Sequence, residues 1–129
     1  MVRFSLIFVT AMLCGFSGQA LAAAADYAFE PVKAELPKGD SVPVLIRLIN
    51  KKTGKPVDGA IIIRSRLDMA PEGMAEHATG IKTAPSEQPG VYAFKAELSM
   101  EGRWQLSLAA KVQGEPETVV GKVILTVGK

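Results

Sequence analysis

An all-β fold, built from antiparallel strands in two packed sheets, is the fold class that this sequence predicts. Residues 103–112 alternate strictly between apolar and mostly polar side chains. The apolar ones are Trp104, Leu106, Leu108, Ala110 and Val112. This period of two is typical of a strand with one face on a core and the other in water. Turns rich in glycine and proline recur between such segments, and no stretch keeps a helical period, which favours an immunoglobulin-like β-sandwich of about seven strands.

The seven predicted strands follow one another with short turns. They cover residues 26–35, 42–49, 61–67, 79–84, 91–98, 103–112 and 117–127. In the first strand Pro31 requires an edge or a bulge, because proline cannot donate to a sheet ladder. Residues 61–67 are a β-branched run of strand length. Tyr92 and Phe94 are the expected core partners of Trp104.

The N-terminus has the features of a cleaved export signal, residues 1–22. Arg3 supplies a positive charge and residues 6–14 an apolar run. Cleavage is expected after Ala22, with alternatives as far as Ala25. The apolar run is too short for a membrane-spanning helix. We therefore expect a soluble, periplasmic protein with one domain over residues 26–129, and an uncleaved N-terminal anchor is the second interpretation.

Composition excludes several classes of protein. The one cysteine, Cys14, lies in the predicted signal, so the mature chain has neither a disulfide nor a thiolate ligand. Loss of Arg3 lowers the formal net charge from +2 to +1, which gives no electrostatic reason to expect nucleic acid or an anionic membrane as partner. With one histidine and no nucleophile or phosphate motif, the sequence does not indicate an enzyme or a small-molecule substrate.

Residues 66–77 contain the residues most suited to binding chemistry. This segment carries Met69, Met74 and the single histidine, His77. Pro71 and Gly73 in its middle predict a loop between strands. Thioether sulfur prefers soft ions, and a carrier in an oxidising compartment must use methionine and histidine in place of thiolates. The segment therefore predicts a copper site, with Cu(I) favoured, to which Met100 in the turn before Trp104 adds a further sulfur.

Other interpretations of the same residues remain open. Methionine is also a common gap-filler in cores. The carboxylates Asp68, Glu72 and Glu76 are expected to be solvated and too few for a hard-ion site. A zinc site is also disfavoured, because one imidazole gives zinc too few nitrogen ligands. Cu(II) bound by His77 with Asp68 or Glu76 is the secondary metal hypothesis.

Four pieces of the chain, in their order and spacing, carry a resemblance to a known family. They are residues 54–60, residues 68–77, Pro89-Gly90-Val91-Tyr92 and the Met100–Trp104 segment. Together they resemble the FixH-like or YtkA-like exported domains. The resemblance implies an immunoglobulin-like periplasmic domain associated with copper handling, oxidase assembly or heavy-metal efflux. It also implies a Met/His loop between the third and fourth strands, which Met69, Met74 and His77 match.

The resemblance has one departure. FixH proteins proper keep a membrane anchor, whereas this chain has a cleavable signal pattern, which favours a soluble metal carrier or efflux accessory. The sequence therefore predicts a copper or soft heavy-metal carrier whose partner is a membrane efflux or oxidase-assembly protein. The alternative is a non-catalytic interaction module that docks on such a complex and binds no metal.

Overall fold

The computed structural model describes residues 25–128, so the predicted signal peptide lies outside the described residues. Ten β-strands and one short 3-10 turn, Ala70–Glu72, form the regular structure of this range. The strands are β1 Tyr27–Pro31, β2 Glu35–Leu36, β3 Gly39–Asn50, β4 Lys55–Pro56, β5 Ile61–Met69, β6 Met74–Thr79, β7 Ile81–Ala84, β8 Val91–Leu98, β9 Gly102–Lys111 and β10 Val119–Val127. No helix within residues 25–128 is long and apolar enough to cross a membrane.

Two five-stranded sheets make up the domain. Sheet A has the order β1-β3-β8-β7, with β4 paired to the end of β3, and sheet B has the order β2-β10-β9-β5-β6. All the pairings are antiparallel except that of β2 with β10. The predicted antiparallel, immunoglobulin-like β-sandwich is therefore confirmed.

The core lies between the sheets, because alternation turns one face of each sheet inward. On β3 the inward residues are Val42, Val44, Ile46 and Leu48, and on β9 they are Trp104, Leu106, Leu108 and Ala110. All eight are buried, as the period of two predicts. Phe94 is buried in the same cluster, whereas Tyr92 is half-buried at its margin. Pro31 ends the edge strand β1, which is the position expected for a proline.

At one edge the two sheets meet through a glycine. The ring of Phe29 on β1 packs directly over Gly121 on β10, so a Cβ added there would lie 2.6 Å from Phe29 Cδ2. The position has room for a hydrogen atom and no more. Gly121 therefore permits the close approach of sheet A to sheet B.

The strand count is higher than the predicted seven, for two reasons. β2 and β4 are two-residue pairings with too little pattern to be detected, and β6 occupies residues that the sequence suggested were a loop. Gly80 alone joins β6 to β7, and there the chain passes from sheet B to sheet A. Two bonds hold this link: Thr79 Oγ1 donates to the carbonyl oxygen of Glu97 (2.8 Å), and the Glu97 N–H donates to the carbonyl oxygen of Gly80 (3.0 Å).

Replacing Trp104 by alanine is expected to lower the free energy of unfolding by about 3–5 kcal/mol, because the indole is fully buried and the sheets cannot collapse onto the space that it leaves. Urea denaturation followed by circular dichroism measures the change. Ile124→Ala, which truncates an exposed side chain of β10, is the control and should cost far less. Equal costs for the two variants would contradict the central position of Trp104.

Candidate metal site at one end of the sandwich

The segment predicted as a loop is instead a tight hairpin. β5 continues through Met69, the 3-10 turn Ala70–Glu72 follows, and β6 begins at Met74. Gly73 has a φ of 75°, a left-handed conformation that glycine adopts without strain, and its N–H donates to the carbonyl oxygen of Ala70 (2.9 Å). The prediction that residues 66–77 form a loop is therefore wrong for most of the segment, because β5 and β6 extend into it and the chain reverses within a few residues at Pro71 and Gly73.

Asp68 is buried, which corrects the expectation that it is solvated. Its carboxylate accepts hydrogen bonds from the backbone N–H of Ala70 (2.9 Å) and from Arg66 Nε (3.0 Å). Arg66 Nη2 also donates to the carbonyl oxygen of Ala75 on β6 (2.9 Å). Asp68 therefore organises the turn, and its oxygens already have partners that a metal ion would have to displace.

A second ion pair fastens the turn to the start of β9. Glu72 Oε1 accepts hydrogen bonds from the backbone N–H of Arg103 (3.0 Å) and from its Nε (3.1 Å). Arg103 Nη2 donates to the carbonyl oxygen of Pro71 (3.1 Å). The hydrogen bond from the Arg103 backbone, and then the one from its side chain, lower the pKa of Glu72 below its ordinary value. The turn between β5 and β6 is thus held against β9.

Met69 and Met74 lie opposite each other at the closed end of the hairpin, where their Cα atoms are partners in the ladder. Met69 is only 1% exposed, and its methyl group touches Gly102, where an added Cβ would be 3.0 Å from Met69 Cε. Met74 is half-buried and packs against the edge of the core. The sulfur of Met69 is therefore covered by protein in this conformation, and that of Met74 only partly.

His77 lies beside the central tryptophan. The imidazole of His77 on β6 is exposed, and its ring centroid is 5.7 Å from that of Trp104, with the two planes at 48°. Trp104 Nε1 donates to the carbonyl oxygen of Met100 (3.1 Å), and Met100, in the turn between β8 and β9, is 40% exposed. His77 thus borders Trp104, Met100 lies in the turn before it, and Met69, paired with Met74 across the hairpin, touches Gly102 at the start of the same strand.

The donor set fits a soft ion in its chemistry. His77 and Met100 are accessible and Met74 partly so, and one imidazole with thioethers matches the preference of Cu(I). Met69 as packed fills the core, the role that methionine often has. Among residues 25–128, no group of three or more His, Cys, Asp or Glu side chains is close enough together to hold a metal ion. Copper at this end would therefore depend on sulfur and one nitrogen.

The sequence alone does not suggest the contact between His77 and Trp104, nor the link between Glu72 and Arg103. Both join β6 or the turn before it to β9, which is distant in the chain and lies beyond β5 in the sheet. No local spacing signals such a contact. The Met100–Trp104 segment is the closest sequence indication, because it brings a methionine next to the core tryptophan.

Comparison with protein-family models identifies the family of this chain. The family model described as YtkA-like matches residues 21–109. The chain belongs to the YtkA-like family. All four pieces of the resemblance lie within this range, so the YtkA-like part of the expectation is confirmed, and the match ends within β9.

Other comparisons add little to this YtkA-like domain. No curated protein matches it. Among solved structures it is similar to the filamin domain of Lin-41, with 15% identity and a TM-score of 0.45 over 80% of this chain and 92% of that one. It is also similar to the C-terminal domain of ZirS, with 12% identity and a TM-score of 0.44 over 100% of this chain and 88% of that one.

Glu72 gives the domain a pH-dependent stability contribution. Because folding lowers the pKa of Glu72 from its ordinary 4.5, the contribution is fully present above that value and is lost as the pH falls through the folded-state pKa. Glu72→Gln should therefore be less stable than the parent protein at pH 7, and the gap should narrow below about pH 4.5. Urea denaturation at pH 7 and at pH 3 tests this, with the exposed Glu87→Gln as control. A gap that is independent of pH would show that charge is not its cause.

The methionines should divide into one core residue and one surface residue. Met69→Ala is expected to lower the free energy of unfolding by about 2–5 kcal/mol because it leaves a cavity, whereas Met100→Ala should change it by no more than about 0.5 kcal/mol. Thermal or urea unfolding of the metal-free proteins measures both. A small loss at Met69 would mean that its side chain is free of the core and available as a ligand.

Proposed function

We propose that this YtkA-like protein is an exported, non-catalytic accessory domain that binds a soft metal ion, Cu(I) above others, and delivers it to a membrane efflux or oxidase-assembly protein. Copper here is the cargo. The observation that carries the proposal is that four donor residues lie at one end of the sandwich: His77 and the backbone of Met100 contact Trp104, and Met69, paired with Met74 across the hairpin, touches Gly102 at the start of β9. The export-signal pattern and the family support the compartment and the accessory role.

Different donors have different parts in this proposal. His77, Met74 and Met100 form the accessible set, because each has side-chain surface open to solvent. Three soft or borderline donors suffice for Cu(I), which accepts low coordination numbers and neutral ligands. Met69 completes the set only if its side chain leaves the core or the ion enters it. The secondary metal, Cu(II), would use His77 with Glu76, since Asp68 is engaged by Arg66 and Ala70.

Transfer of cargo to a partner favours a site of this construction. Carriers must release as well as bind, and a site at an exposed strand edge leaves the ion open to a second protein. The hydrogen bonds that Asp68 and Glu72 accept hold the backbone of the hairpin in place, and they do not involve the sulfur and nitrogen atoms proposed to bind the ion. Such fixed support reduces the ordering cost when an ion binds.

The test uses Trp104, the only tryptophan, as an internal reporter. Purified protein is titrated anaerobically with Cu(I), buffered by a competing chelator, and with Ag(I) as a redox-inert substitute, while indole fluorescence is recorded. We expect saturable quenching by one ion per chain, because His77 adjoins the indole. His77→Ala and Met74→Leu should each weaken binding by roughly tenfold or more.

Met69→Leu is the matched control, since leucine preserves the apolar volume and removes only the sulfur. Binding should be nearly unchanged in this variant if Met69 serves the core alone. Absence of saturable binding in the parent protein, or equal weakening by all three substitutions, would contradict the proposed ligand set.

A docking module without metal is the second candidate. The exposed Met100 and half-buried Met74 favour it, because methionine adapts to many partner surfaces. In that case the titration shows no binding, and the same substitutions instead weaken attachment to the partner.

A further inference from the structure

A second surface of the domain, made of different residues from the Met/His end, exposes several large apolar side chains to solvent. Four of the seven large apolar side chains that are exposed within residues 25–128 lie on β5 and β10, which flank β9 in sheet B. They are Ile61 (66% exposed), Ile63 (51%), Val120 (66%) and Ile124 (45%). Among the strands of sheet A in the same range, Leu45 is the only exposed large apolar residue.

Strand register places Ile61, Val120 and Ile124 on the outer face of sheet B, and the exposure of Ile63 puts its side chain outside the core as well. Val120 and Ile124 pair with Ala109 and Gln105, which alternate with the inward residues of β9. Ile61 pairs with the outward Lys111. The register shifts between Ile62 and Arg64, so Ile63 is an extra residue there, as in a β-bulge that redirects a side chain.

Positive charge accompanies the apolar residues. Arg64 pairs with Ala109 and Lys122 with Ser107, so both project from the same face as Lys111. None of these three cations takes part in a salt bridge within residues 25–128. The outward carboxylate of β5, Asp68, is buried and already paired with Arg66. We call this surface the basic-apolar face, defined by Ile61, Ile63, Arg64, Lys111, Val120, Lys122 and Ile124.

Charge decides what kind of partner fits. A second copy of the chain packed face to face would bring like cations together, which costs free energy. An anionic membrane is favoured by protruding aromatic or leucine side chains, whereas the apolar residues here are isoleucine and valine on a sheet. An acidic protein surface satisfies both features, since its carboxylates pair with the cations and its apolar atoms cover the β-branched side chains.

We propose that the basic-apolar face docks an acidic, partly apolar surface of a partner protein. β-Branched side chains on paired strands have little rotamer freedom to lose, so they serve as rigid anchors with a low ordering cost. Arg64, Lys111 and Lys122 steer the acidic partner and fix its register. The proposal does not depend on metal binding by the hairpin.

Site-specific photo-crosslinking in the native host tests the face, because it captures whichever protein lies against the chosen position. Benzoylphenylalanine is introduced at Val120 or Ile63, and at Leu45 on sheet A as the control position. The expected product is a heterologous protein, crosslinked from Val120 and Ile63 but not from Leu45, whose crosslinked segment is rich in aspartate and glutamate by mass spectrometry.

Charge-reversed variants give the matched comparison. The pair Arg64→Glu with Lys122→Glu should reduce this product by about tenfold or more. The pair Lys51→Glu, in the turn after β3, with Lys55→Glu, at the start of β4, changes the net charge equally at exposed positions and should leave the product unchanged. Circular dichroism confirms that both variants fold, and unchanged Cu(I) titration of the first pair separates this face from the Met/His end.

Several results would overturn the proposal. These are a crosslinked dimer of this chain, crosslinking of equal yield from Leu45, no product from Val120 or Ile63, equal loss in the two charge-reversed pairs, and salt-sensitive binding of the protein to phosphatidylglycerol vesicles in place of a protein product. The dimer would assign the face to self-association, and the vesicle result to a membrane.

Discussion

The burial of Trp104 between the sheets is the interaction on which the rest of this structure depends. Its indole fills the core at the start of β9, and its N–H is satisfied by the carbonyl oxygen of Met100. That single bond fixes the turn between β8 and β9, because an unpaired indole donor in the core would be costly. The imidazole of His77 then lies beside the ring on the open side. The candidate metal site is therefore an extension of the core at its solvent boundary.

β5 and β9 serve two surfaces at once. Their inward residues hold the core and, near Gly102, the hairpin with its methionines, while their outward residues join β10 in the basic-apolar face. Because alternation assigns successive side chains to opposite faces, one strand can carry both sets without conflict. Asp68 is a polar outward residue that is nevertheless buried, because it bonds to Arg66 and to the turn. A ligand and a partner protein could thus share rigid strands without sharing contact atoms.

The parts of the fold that are predictable from the sequence are those governed by the period of two. Residues 104–112 and 42–48 can be assigned to core faces because apolar side chains recur at every second position, and burial follows that pattern. The family relationship also follows from the order of its short motifs. Pro71 and Gly73 do not distinguish a long loop from a three-residue reversal, because the same residue types occur in both. The difference depends on Asp68 and Glu72 finding donors in the turn and on β9, which no local spacing encodes.

The residues predicted as metal ligands differ in how far the fold exposes them. Met69 and Met74 are close in sequence and pair across the hairpin, where the pairing of β5 with β6 is irregular. Met69 is nonetheless buried in the core, whereas Met74 lies at the edge of the core. His77 reaches Trp104 because β6 is a strand, and its side chains therefore have defined directions. Sequence identifies which donors are near each other along the chain. Exposure of each donor depends on packing.

Gly80 limits how the end of the domain can move. Because this one residue joins an edge strand of sheet B to an edge strand of sheet A, and because Thr79 and Gly80 both bond to Glu97, β6 is anchored at its far end to the opposite sheet. Movement of β6, the strand that carries His77, away from the sandwich would break the hydrogen bonds of Thr79 and Gly80 to Glu97. Motion at this end of the domain is thereby directed to side-chain rotations and to the short reversal at Pro71 and Gly73.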